Sequence, residues 1–153
     1  MLLLDTSAAM AGSKISALET EINSFVSKIK DDHRVDNVDI CIVTILFAVK
    51  IEVPFICARK LELLKLVSNA GASLWEAISV SLDLLSVQKR KYANHGVNWY
   101  KSSMIVITDG MPTDDPEKIL PRLKKEIEKE ISLNIFGLSM DSEAMFSMLG
   151  VQY

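Results

Sequence analysis

The stretch "LLLDTSAAM", residues 2–10, places a carboxylate and two hydroxyls (Asp5, Thr6 and Ser7) at the end of an apolar run. A second apolar run, "SSMIVITDG" at 102–110, also finishes in polar residues, Thr108 and Asp109, before Gly110. Oxygen donors delivered by the ends of buried strands suit a hard cation. Mg²⁺ takes its ligands in an octahedron and keeps several waters, so hydroxyls can bind it directly while carboxylates hold its waters and supply charge. An aspartate at a strand end also serves simply to cap the following turn. Two of them at two strand ends, each beside a hydroxyl, read as a site.

Asp5 and Asp109 meet only if the fold makes their strands neighbours. Residues 1–4 form a short apolar strand without polar alternation, expected at the centre of a sheet. In "AGSKISALETEINSFVSKIKDD", Ile15, Leu18, Ile22, Phe25, Val26 and Ile29 recur at three- and four-residue steps, which predicts an amphipathic helix with Ser13 as its N-cap. "VDICIVTILF" (38–47) and "KIEVPFIC" (50–57) are too closely linked for a parallel crossover and must pair antiparallel. Pro54 puts the second of them on the sheet edge. A helix from Leu74 to about Lys91 carries Leu74, Ala77, Ile78, Leu82 and Leu85 on one side. After the 102–110 strand, "DDPEKILPRLKKEIEKE" becomes helical near Leu120, with Pro121 in the first turn. "SLNIFGLSM" (132–140) is a further strand, and "DSEAMFSML" a short helix capped by Asp141. Strands alternating with helices imply an α/β, doubly wound, mostly parallel Rossmann-like sheet with helices on both faces and one antiparallel edge strand. Ligands of such sheets collect beyond the carboxyl ends of the strands, where the strand order reverses.

Composition sets the outer bounds. The 153 residues are 49% hydrophobic and 24% charged, as in an ordinary globular domain, and no apolar run approaches membrane-spanning length. The net charge of -3 disfavours nucleic acid as the main partner. Cys41 and Cys57 lie in apolar segments without metal-ligand spacing and read as buried free thiols, so the chain is expected to be cytoplasmic. Residues 88–103, "QKRKYANHGVNWYKSS", mix basic and aromatic side chains as single-strand binders do. The simpler reading is a solvated helix end, its cations matched to the helix dipole, followed by a loop anchored by aromatics. His33 and His95 lack ligand partners, and Trp75 reads as core.

"LLLDTSAAM" resembles the opening of von Willebrand factor A domains, whose D-x-S-x-S pattern begins a metal-ion-dependent adhesion site. "VITDGMPTDD" is similar to that family's later strand, and "NAGASLWEAI" to the segment that carries a metal-binding threonine. The longer stretch "YANHGVNWYKSSMIVITDGMPTDD" resembles the bacterial intracellular TerY-like type, associated with tellurite resistance and stress. The resemblance implies a protein–protein interaction module, an adaptor in a stress system, with Mg²⁺ recruiting an acidic side chain of a protein partner. It maps Asp5, Ser7 and Asp109 onto metal positions. Ala9 and Ala72 stand where hydroxyl ligands are expected, with Ser73 next door as a substitute, so the Mg²⁺ site is expected to be weak or lost. The family's last strand and helix would also be missing from a single domain spanning 1–153, with Val151–Tyr153 at most starting that strand.

An enzyme is the alternative class. A strand ending in Asp, with a later "TDG" and "DD", is faintly similar to haloacid-dehalogenase-like phosphatases. Those need a second aspartate two residues on, where this chain has Ser7. As a nucleophile Ser7 would need a nearby base, which the sequence does not supply. The chain reads as a non-enzyme that binds proteins, with no membrane partner.

Overall fold

The computed structural model describes residues 1–45, 48–69, 71, 73–110 and 112–137. Strand β1 (Leu2–Asp5) is buried along its whole length. It pairs in parallel with β2 (Asp39–Ile45) on one side and β4 (Ser102–Thr108) on the other. Beyond them lie β5 (Ile131–Gly137), parallel to β4, and β3 (Val49–Cys57), antiparallel to β2. Among the described residues the order is β3-β2-β1-β4-β5. The apolar run at 2–4 takes the centre because neither of its faces could meet water cheaply.

Helix α1 (Ser13–Lys30) covers one face and α2 (Leu74–Asn94) with α3 (Leu120–Lys129) the other. The two-residue period of β1 divides it between them. Leu2 and Leu4 pack with Leu18, Ile22 and Val26 of α1, whereas Leu3 packs with Ile78 and Leu82 of α2 and Leu123 of α3. Leu3 and Leu4 are fully excluded from solvent, so truncating either to Ala would cost ~2–5 kcal/mol. Pro54 lies on the edge strand as expected. There the register shifts so that Pro54 and Phe55 face Cys41 as a bulge, which tolerates the missing N–H.

Several local expectations change. Ser13 is the first helical residue, not the cap. Gly12 precedes it at φ 78°, a left-handed backbone that glycine adopts without strain and that turns the chain into α1. Phe25 is exposed instead of joining the apolar face, because Leu18, Ile22, Val26 and Ile29 already fill the contact with the sheet. Cys41 is buried, but Cys57, at the end of the edge strand, is only partly so; both are free thiols. Trp75 is core, and α3 begins at Leu120 with Pro121 in its first turn. The expected helix at 141–149, the strand start at Val151–Tyr153 and Ala72 lie outside the described residues.

Candidate functional site

The parallel register pairs Leu4 with Ile107, which brings Asp5 beside Thr108 at the carboxyl rim. This is the point where the sheet's order reverses: the chain leaves β1 for β2 on one side, and β4 adds on the other. Asp5, Thr6, Ser7, Thr108 and Asp109 are all buried. Burying carboxylates requires partners, and both oxygens of Asp5 have them. The Ser7 N–H donates to Asp5 Oδ1 at 2.8 Å, and the Thr108 hydroxyl donates to Asp5 Oδ2 at 2.7 Å. Thr6 fixes the loop to β2, its hydroxyl donating to the Ile45 carbonyl at 3.1 Å. The Thr6 carbonyl in turn accepts from the Asn69 N–H at 2.9 Å.

After Ser7 the chain forms a 3-10 turn, Ala8–Met10, anchored by the fully buried Met10. Ala8 and Ala9 are exposed at the rim. Gly12 then directs α1 so that the Lys14 ammonium returns to the site. It forms an ion pair with Asp109 and lies 3.4 Å from the Ala9 carbonyl. The Lys14 side chain is 49% exposed and that of Asp109 4%, so the ammonium joins a buried carboxylate to solvent. A lysine in the first turn of a helix opposes the macrodipole. Here the carboxylate of a distant strand end compensates it.

The structure thus brings Asp5, Ser7 and Asp109 to one rim. Ser73 precedes α2; its carbonyl accepts from the Ala77 N–H at 3.0 Å, while its hydroxyl makes no capping bond. The cap comes instead from Asp114, whose Oδ2 accepts from the Glu76 N–H at 2.8 Å. The sequence reading overlooked Lys14 and Asp114. A basic residue in a predicted first helical turn was the available signal for Lys14; for Asp114, distant in sequence from α2, there was none.

The set of donors does not fit a tightly held Mg²⁺. Asp5 is engaged through both oxygens, an ammonium already balances Asp109, and Ala9 offers a methyl where a hydroxyl would ligate.

A central parallel sheet, helices on both faces and a polar rim at the switch point define an α/β domain that offers loops at one end for binding. Residues 1–150 match the von Willebrand factor type A domain, and the chain belongs to that family. Domains of this family commonly mediate protein interactions. The fold is shared with the SpRpn10 VWA domain (TM-score 0.66, 11% identity, covering 99% of this chain and 82% of that one). It is also shared with a von Willebrand factor type A protein from Catenulispora acidiphila (TM-score 0.64, 13% identity, 92% and 33% covered). A third similar structure is the ArnB paralog VWA2 from Sulfolobus acidocaldarius (TM-score 0.61, 18% identity, 97% and 37% covered). This chain therefore spans about a third of each of the last two. No curated protein matches it. Among the described residues no helix is long and apolar enough to cross a membrane.

Proposed function

We propose that this chain is an adaptor that docks a protein partner at the carboxyl rim of its sheet, in a cytoplasmic bacterial stress system of the tellurite-resistance type. The observation that carries the reading is the Lys14–Asp109 pair at the switch point. A half-exposed ammonium, held from behind by a buried carboxylate, presents fixed positive charge to an acidic side chain of a partner. Mg²⁺ would perform that service in a fully furnished site of this family; here Asp5, Ser7, Asp109 and Ser73 hold it weakly, and docking does not depend on it. The TerY-like stretch of sequence supports the cellular setting. No hydrolytic step is proposed, since position 7 carries a serine instead of a second aspartate.

Photo-crosslinking in bacterial cells tests this reading. A photoreactive residue at Ala9, exposed on the rim, should capture a partner that the same group at Lys28 on α1 does not. Capture should persist in EDTA and fall when Lys14 is replaced by Glu. Equal capture at the two positions would overturn rim docking, and loss in EDTA would restore the metal-bridged mode.

A further inference from the structure

At the opposite end of the domain, toward the amino ends of the strands, α2, α3 and the start of β5 line a groove of about 380 Å³. That volume lies within the ~300–1,000 Å³ of ligand pockets. Leu82, Leu85 and Ile131 form its floor and are buried, while Trp99 at its edge is 42% exposed. One ion pair joins the helices, Arg122 to Asp83 at 2.7 Å, and another joins α2 to the residue after α3, Lys89 to Glu130 at 2.5 Å.

The walls are cationic although the protein is not. Five basic side chains line the groove against two glutamates, in a chain of net charge -3. Arg90 on α2, with Lys125 and Lys129 one turn apart on α3, are exposed and make no ion pair among the described residues. The basic side chains outnumber the glutamates around an apolar slot, and of the three that make no ion pair Lys129 still acts electrostatically on Glu130. The adjoining loop adds exposed Val97 and Tyr100, the latter 96% accessible. Trp99 leans on Tyr92 with ring centroids 6.3 Å apart, which holds one face of the indole in place. Tyr100 is not an anchor, contrary to the sequence reading, and the loop leaves apolar surface beside the charges.

From this combination we infer that the α2–α3 groove is a second docking site, which takes an acidic peptide segment of a protein partner bearing an apolar anchor side chain. Carboxylates on both sides of the segment meet Arg90 on one wall and Lys125 and Lys129 on the other, and the anchor enters between Leu85 and Trp99. Single-stranded nucleic acid fits less well. Among the described residues Trp99 is the one aromatic side chain lining the groove, which is too few for successive bases to stack. The site is separate from the rim, and its occupancy does not depend on Asp109.

The chain carries its own reporter. Of its two tryptophans Trp75 is buried, so a change in emission on binding belongs to Trp99. The probes are a fluorescein-labelled glutamate-rich peptide with leucines at helical spacing, the same peptide with its leucines replaced by serine, and oligothymidylate. The leucine peptide should bind with strong salt dependence and shift the Trp99 emission. Combined replacement Arg90→Glu, Lys125→Glu and Lys129→Glu, all at exposed positions, should weaken it about ten-fold or more while the far-UV circular dichroism stays that of the folded wild type. Trp99→Phe should abolish the emission shift, and Asp109→Asn should change neither result. The inference is overturned if the leucine peptide does not bind, if charge reversal leaves its affinity unchanged, or if the serine peptide or oligothymidylate binds equally well.

Discussion

The Thr108 hydroxyl donates to Asp5 Oδ2 across 2.7 Å, a bond between the ends of β4 and β1 whose partners are 103 positions apart in sequence. It satisfies a buried carboxylate and locks the two strand ends on which the rim is built. Thr108→Val keeps the shape and removes the donor, leaving that oxygen without its hydroxyl. The variant should lose ~1–3 kcal/mol of stability by urea unfolding, whereas Thr108→Ser should retain most of it.

Lys14 and Asp109 should be energetically coupled. Lys14→Met and Asp109→Asn each break the ion pair, so the double variant should be less destabilised than the sum of the two. A non-additivity of at least ~0.5 kcal/mol in a double-mutant cycle is the expected result. Strict additivity would mean that the pair contributes nothing in solution.

The start of α2 depends on Asp114 instead of its own N-cap, Ser73. Asp114→Ala should therefore destabilise the domain by ~1 kcal/mol, the usual value of a lost cap, and Asp114→Asn by less, since an amide oxygen also accepts. Ser73→Ala should have a smaller effect than Asp114→Ala in the same thermal melts.

The two thiols should differ in reactivity. Burial pushes the Cys41 thiol up to about 11, so at neutral pH it is protonated as well as inaccessible. Mass spectrometry after iodoacetamide treatment of the native protein should find Cys57 alkylated and Cys41 untouched until denaturant is added.

Much of the fold was legible because its signals are local. The unbroken apolar run before Asp5 marked a central strand, the short link before β3 fixed an antiparallel pair, and Pro54 marked the edge. The convergence of Asp5 and Asp109 was conditional on their strands being neighbours, and the parallel pairing of β1 with β4 supplies that condition. What the sequence hid was tertiary. Phe25 obeys the helical period yet faces water, because the sheet accepts only four buried side chains from α1. Lys14 reads as a solvated residue until Gly12 turns the helix and β4 supplies Asp109. Asp114 caps a helix whose first residue precedes it by tens of positions. The charged groove likewise needs two helices, each unremarkable in its own stripe of lysines, to face one another.

We propose that the rim carries its own cation and binds its partner without a metal. The most direct test is a thermal melt of the wild-type chain, Lys14→Met and Asp109→Asn, in EDTA and in ~10 mM Mg²⁺ or Mn²⁺. Neither metal should move the wild-type midpoint beyond the scatter of the melt, while Lys14→Met should lower the midpoint in EDTA. A wild-type rise of ~5–10 °C, the size expected for a ligand at ~100 times its dissociation constant, would contradict the proposal if Asp109→Asn abolished the rise.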